Sequence, residues 1–394
     1  MNSAKKKRLQ QLARMMNKQS ASPLYILDKV LEIFDLVITE EETTFLLNMG
    51  TDSYNRRALE DKVRLTEADF DRLFRSLIRK GILWSSKGED GDDIYQMGSI
   101  LFGWFEIYLL NGEDTPEKRE FSRLLKELFQ EYRKFNVFPV RNIRNLQMRF
   151  SRPNKHIVAI GEPLRDSGNR KTIDIGEEVN RPDISIYYTH TVNELIDRFG
   201  SDDNIAVGHC FCRLSHSMNG EKCHFDLPME SCLVIGKFTQ HAIKYGMARP
   251  ISREEAFSLI SRLQKKGVVH QVFHDRQSID EPEIAICNCC WDCCEVLRCY
   301  NQGITGLNLK CYYTANIQMG DKCRGCGLCV KFCPVAAIDL KDKTVTLNDR
   351  TCIGCGQCVI QCPHDVFSLH PEERTVKLPL KKPGDIRLPS RQRK

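Results

Sequence analysis

The sequence predicts an α+β chain divided into several domains. Three observations carry that reading. At 394 residues the chain is long enough for two or three separate cores. Apolar residues recur at helical spacing in some stretches and in short β-branched runs in others. All 19 cysteines fall after residue 209, so the two halves have different chemistry. The expected organisation is a helical region over 1–115, a linking helix and irregular segment over 116–185, an α/β cysteine-rich region over 186–311, a small module over 312–370 and a basic tail over 371–394. Hydrophobic content of 41% and charged content of 28% are ordinary for a globular protein. The net charge of +6 is modest and spread along the chain, and makes no argument for nucleic acid.

In the N-terminal region Leu24, Leu27, Val30, Leu31 and Phe34 recur at helical spacing. Thr66 is placed to cap a helix bearing Phe70, Leu73, Phe74, Leu77 and Ile78, which ends near Gly81. Ile82-Leu83-Trp84 and Ile94-Tyr95-Gln96-Met97, separated by a Gly/Asp-rich turn, read as a β-hairpin. Helices followed by a helix and a hairpin resemble a winged-helix domain, a fold that often reads DNA with a basic helix. Here Arg72, Arg75, Arg79 and Lys80 share the helix with Glu67, Asp69 and Asp71. That mixture argues against a surface that tracks phosphates and favours a docking role. The apolar and aromatic residues 101–110 are expected in the core, and 117–135 as an amphipathic linking helix.

The region 186–311 holds eleven cysteines in two related groups. The first follows Ile205-Ala206-Val207-Gly208 and comprises Cys210, Cys212, Cys223 and Cys232, beginning His209-Cys210-Phe211-Cys212-Arg213. The second follows Glu283-Ile284-Ala285-Ile286 and comprises Cys287, Cys289, Cys290, Cys293 and Cys294, with Cys299 and Cys311 downstream. Helices precede both, with capping boxes expected at Thr191/Glu194 and Ser252/Glu255, and Gly267 marks a helix end. If the two strands run the same way in one sheet, both thiol groups emerge at one end and build a single site. Three readings stay open here: a third iron–sulfur cluster or a zinc site, a dithiol redox site such as Cys290/Cys293, or buried structural thiols. His209, His216 and His224 lie close by as ligands or, more commonly, as hydrogen-bonding residues.

The module over 312–370 is the most specific part of the chain. Cys323, Cys326, Cys329 and Cys333 precede Pro334, and the same spacing returns at Cys352, Cys355, Cys358 and Cys362 before Pro363. A C-x-x-C-x-x-C loop wraps three corners of a [4Fe–4S] cubane, and two such runs predict two clusters. Zinc sites also begin with C-x-x-C, but need neither the evenly spaced third cysteine nor the proline. Ile338, Leu340, Val345 and Leu347 flank Lys341-Asp342-Lys343 as a hairpin with a tight turn. Gly325, Gly327, Gly354 and Gly356 let the backbone fold closely around inorganic sulfur.

These residues resemble the bacterial two-cluster ferredoxin family over about 60 residues. The resemblance implies a pseudo-twofold α+β fold with crossed ligation: Cys323, Cys326, Cys329 and Cys362 on one cluster, Cys352, Cys355, Cys358 and Cys333 on the other. From about Ile205 through Arg298 the chain also resembles a family of anaerobe iron–sulfur proteins. The likeness rests on the C-x-C-R segment at Cys210, Cys232-Leu233, and Ile286-Cys287-Asn288-Cys289-Cys290. That family is known for electron transfer or association with oxidoreductases, and implies no substrate.

No apolar run approaches the ~20 residues that cross a bilayer, and Leu9-Gln10-Gln11-Leu12 is not the core of a signal peptide. So many cysteines in such a chain read as metal ligands or redox thiols rather than disulfides, in a cytoplasmic and oxygen-avoiding setting. The basic ends (Lys5 to Arg8; Lys381, Lys382, Arg387, Arg391, Arg393, Lys394) read as solvated tails or as docking points for an acidic redox partner. There is no G-x-G-x-x-G, no phosphate loop and no C-x-x-C-H, so electrons are expected from a partner protein. The expected function is single-electron transfer through two clusters. The alternatives are an oxidoreductase, or a component of one, with its active site within 205–311, and a redox-sensing winged-helix regulator.

Overall fold

A computed structural model describes residues 1–19, 24–88, 90–137, 184–187, 189–274, 284–304 and 306–382. The chain folds into two units, each drawn from separate stretches. The first comprises 1–156, 202–223 and 228–251, the second 157–201, 224–227 and 252–394.

The first unit opens with α1 (Ser3–Lys18), α2 (Asp28–Val37) and α3 (Glu40–Met49). Asn2 caps α1, and Thr39 with Glu42 forms a capping box on α3. Leu24, expected on the second helix, lies before it. The Asn17 amide accepts from the Leu24 N–H and donates to its carbonyl, both at 2.7 Å, which ties Leu24 outside the helix that begins at Asp28. Next come β1 (Tyr54–Asn55), α4 (Arg56–Val63) and α5 (Glu67–Arg79), the last capped by Thr66. The expected apolar face of α5, Phe70, Leu73, Phe74, Leu77 and Ile78, is buried. Gly81 ends the helix at φ +69°, where a Cβ would meet Ile107 at 2.3 Å. β2 (Leu83–Lys87) and β3 (Asp93–Met97) form the hairpin, and β1 joins it in the order β1-β3-β2.

A π-helical turn (Ile100–Trp104), α6 (Phe105–Tyr108) and α7 (Pro116–Val137) follow. The aromatic run is core, as expected. Trp104 meets Phe34 edge-on at 4.9 Å between ring centroids, and Phe105 meets Phe121 at 5.4 Å. α7 buries Phe121, Leu124, Leu125 and Leu128. Most of the irregular segment over 136–185 lies outside the described residues.

The chain then supplies β4 (Ile184–Tyr187) and α8 (Thr189–Phe199) to the second unit. The expected cap Thr191 sits inside α8, which starts at Thr189. Back in the first unit come β5 (Ile205–His209), α9 (Phe211–Met218), β6 (Glu230–Ile235), α10 (Lys237–Lys244) and β7 (Arg249–Pro250). β5 runs antiparallel to both β6 and β7. Asn219, just past α9, donates to the Ser122 carbonyl of α7 at 3.0 Å.

The second unit resumes with α11 (Arg253–Lys265), capped by Ser252, then β8 (Val269–His274), β9 (Ile284–Cys289) and α12 (Glu295–Asn301). β10 (Leu307–Ile317), α13 (Leu328–Phe332), β11 (Ile338–Lys341), β12 (Thr344–Leu347), α14 (Gln357–Ile360) and β13 (Phe367–Leu378) complete it. Its main sheet has the order β13-β10-β4-β8-β9, with β4 and β10 parallel and the other neighbours antiparallel. The longest ladder joins β10 to β13, from Ile317↔Phe367 to Leu307↔Leu378. Residues 371–378, expected in the tail, are therefore strand, because Val376 and Leu378 are buried opposite Leu309 and Leu307. Residues 383–394 of that tail lie outside the described residues. β11 and β12 close as the expected hairpin, with Asp342 and Lys343 both at positive φ. Among the described residues no helix is long and apolar enough to cross a membrane.

The C-terminal end of α11 is capped from α14. Gln357, 1% exposed, donates to the carbonyls of Val268 at 2.7 Å and Gln264 at 3.3 Å, and Gln361 donates to Lys265 at 3.0 Å. These side chains satisfy helix-end carbonyls that would otherwise be orphaned. Gln357→Ala is expected to destabilise this contact by about 1–3 kcal/mol, the cost of leaving buried acceptors unpaired. Gln361→Ala, at a more exposed bond, should cost less. Hydrogen exchange of α11 and α14 amides in the two variants checks the order.

Candidate metal centres

Eight cysteines of the 323–362 stretch line two cavities. One is bounded by Cys323, Cys326, Cys329 and Cys362, together with Arg324, Leu340, His364 and Phe367. The other is bounded by Cys333, Cys352, Cys355 and Cys358, with the apolar side chains of Ala315, Val335, Ala337, Ile338, Leu347 and Ile353. Each cavity thus takes three thiols from one run and the fourth from the other. The surroundings differ as well: Cys326 is exposed, whereas Cys352 and Cys358 are buried.

The local backbone makes this possible. Gly327 and Gly356 occupy equivalent places in the two runs and share one left-handed conformation (φ 76°, ψ near 0°) at the start of α13 and α14. Backbone N–H groups point at sulfur: Ala337 donates to Cys333 Sγ at 3.1 Å and Gly354 to Cys352 Sγ at 3.4 Å. Such donors stabilise thiolate charge. Burial, with a smaller push from neighbouring cysteines, raises the Cys329 thiol to about 11 and raises Cys333, Cys355 and Cys358 as well. Without a cation these sulfurs keep their protons at neutral pH, so metal uptake releases protons.

Two contacts set the second loop against the sheet. Gly354, at φ +65°, lies so close to β10 that a Cβ there would come 1.9 Å from the Tyr313 carbonyl oxygen. The register of β10 shifts between Cys311 and Tyr313, a bulge of the kind often found beside functional sites. From β13, Arg374 donates to the carbonyls of Asp349 at 2.8 Å and Cys352 at 2.7 Å, holding the approach to the second run. On the first run, Asn301 of α12 donates to the Pro334 carbonyl at 3.1 Å.

The upstream cysteines gather within their own units. In the first, β6 pairs with β5 so that Cys232 lies opposite Gly208, close to where Cys210 begins α9. Cys212 and Cys232 hydrogen-bond to Cys210 and, with the Arg213 guanidinium, hold its thiol well below the ordinary range despite full burial. Arg213 is itself buried, donating to the Pro228 carbonyl at 2.5 Å and Ser231 Oγ at 2.7 Å. Cys223 closes the 202–223 segment of this unit.

In the second unit, Cys287 and Cys289 share one face of β9, as alternate strand residues do. Hydrogen bonds to Cys287 and Cys294, added to burial, raise the Cys289 thiol well above its usual range. Gln271 donates to Cys294 Sγ at 3.5 Å. Cys290 and Cys293 stand in the turn that follows, closed by the Cys294 N–H on the Cys290 carbonyl at 3.1 Å. Their sulfurs and a carboxylate oxygen of Asp292 lie within 4.8 Å of one another. Asp292 was missed in the sequence, where a single acid carries no spacing signal. Two of the nearby histidines pair with carboxylates: His216 meets Glu221 at 3.1 Å and His224 meets Asp292 at 3.2 Å. β5 belongs to the first unit and β9 to the second, and the thiols that follow each strand are described unit by unit.

Residues 322–373 match the family model described as a 4Fe-4S dicluster domain. No curated protein and no solved structure matches the chain. The C-terminal part is therefore a ferredoxin-type domain that binds iron–sulfur, and the match covers that module alone.

The two loop glycines give a comparative test. A Cβ at Gly354 meets backbone, which cannot yield, whereas one at Gly325 meets the flexible Lys343 side chain at 2.9 Å. Both sit at positive φ and both lose about 1–2 kcal/mol to strain on substitution. Gly354→Ala should lose a large share of bound iron and sulfide, and Gly325→Ala far less, as read by metal analysis of anaerobically purified protein.

Proposed function

We propose that this protein transfers single electrons through two [4Fe–4S] clusters in its C-terminal module. Cys323, Cys326, Cys329 and Cys362 hold one, and Cys333, Cys352, Cys355 and Cys358 hold the other. The observation that carries this reading is the division of the eight cysteines between two cavities with their fourth members exchanged. Such an arrangement suits two cubanes placed side by side. The clusters supply the redox chemistry. The chain supplies thiolates, N–H donors to sulfur, and a backbone pinned so that little reorganisation accompanies electron transfer. Exposed Cys326 marks the edge at which a redox partner exchanges electrons.

The N-terminal order of helix, strand, two helices and hairpin supports a winged-helix-like domain, read here as a docking element. On α5, Arg72 is paired with Glu41 at 2.8 Å and Asp69 at 3.0 Å, and Arg75 with Asp71 at 2.9 Å. Cations engaged this way are poorly placed to track phosphates, so protein partners are favoured over nucleic acid. A second reading, an oxidoreductase with its reactive site in the 205–311 region, is supported by the gathering of Cys210 and Cys232 where β5 meets β6.

Reduction adds a negative charge, which an apolar wall disfavours and a nearby cation or water accommodates. The site lined by Arg324 and His364 should therefore reduce before the one lined by Val335, Ile338 and Ile353. Potentiometric EPR is expected to show two one-electron steps, with Arg324→Gln lowering the higher potential. Absence of any reducible paramagnetic signal would refute electron transfer, and a shift of the lower potential alone would reverse the order.

A further inference from the structure

We propose that Cys290, Asp292 and Cys293 hold a single zinc ion, separate from the ferredoxin-type clusters. The site is independent of the electron-transfer reading. Its three donor atoms lie within 4.8 Å of one another. A tetrahedral ion with Zn–S bonds of about 2.3 Å places its ligand atoms roughly 3.8 Å apart, a separation this group reaches with small rotations. A cubane is different, because each thiolate binds its own iron and the sulfurs stand much farther apart. The spacing therefore selects one ion over a third cluster.

Asp292 provides the second, independent observation. Its side chain is 5% exposed. Oδ2 accepts from the His224 backbone N–H at 2.6 Å and lies 3.2 Å from His224 Nδ1. Oδ1 is buried and has no hydrogen-bond partner among the described residues. A carboxylate oxygen left so is costly, and a cation beside it removes the cost. A disulfide between Cys290 and Cys293 would leave that oxygen unpaired, which favours metal over a dithiol couple. The His224 contacts to Oδ2 are of the kind that orient a ligating carboxylate, leaving Oδ1 for the ion.

The turn is shaped for the purpose. The Cys294 N–H on the Cys290 carbonyl closes it, which brings residues three apart onto one side, as in C-x-x-C zinc sites. Trp291, between the donors, packs on Phe225 at 5.7 Å, and Phe225 packs on Phe332 at 5.4 Å, beside Cys333. The ion would thus fasten the 224–227 segment and this turn next to the ferredoxin-type module, a structural role.

The test is metal analysis of the full chain purified without oxygen and dialysed against a weak chelator, with zinc-edge X-ray absorption on the same sample. The wild type should keep about one zinc per chain, with sulfur scatterers near 2.3 Å in the first shell. Asp292→Asn and Cys290→Ser should lose zinc at least several-fold while iron stays at the wild-type level, which separates this site from the clusters. Zinc absent from the wild type, zinc retained by both variants, or a first shell without sulfur would overturn the proposal. The wild-type spectrum needs no variant, so a misfolded substitution does not decide the outcome.

Discussion

Backbone packs directly on backbone where Gly354 meets the Tyr313 carbonyl, and the cluster module depends on that approach. A stretch of this size has little apolar side-chain mass for a core of its own, and eight of its residues are cysteines. It is held from outside by a sheet, and the proposed clusters would hold it from within. The β10–β13 ladder extends past the module to Leu307↔Leu378 and makes it the edge of the second unit's main sheet. Arg374 and Gln357 then fix the second cysteine run to that sheet and to α11. A rigid frame of this kind suits electron transfer, where the cluster should move little when its charge changes.

The same frame gives the two cavities unlike walls. One is lined by Arg324 and His364 beside its cysteines, and the other by Val335, Ile338, Leu347 and Ile353. Nearly identical cysteine runs therefore present different electrostatic surroundings. The difference comes from Arg324 and His364, in and beside the runs, and from apolar residues such as Ile338, Leu347 and Ala315 of the hairpin and β10.

Much of the module was legible in the sequence because its chemistry constrains spacing. The paired runs, the glycines between ligands and the Lys341-Asp342-Lys343 turn leave few alternatives. Helix starts marked by a side-chain oxygen, such as Thr66 and Ser252, were equally readable. Features that depend on tertiary partners were not. Leu24 keeps helical spacing, but the Asn17 amide holds it outside the helix. Strand β13 looked like the start of a charged tail, since only alternate residues are apolar and their cover comes from β10. Asp292 has no motif of its own and is recognisable only by what surrounds it.

The most direct measurement is iron and acid-labile sulfide per chain in protein purified without oxygen. Two [4Fe–4S] clusters in the C-terminal module require about eight of each. About four of each, or iron without sulfide, would contradict the pairing of the two cysteine runs into two cubanes.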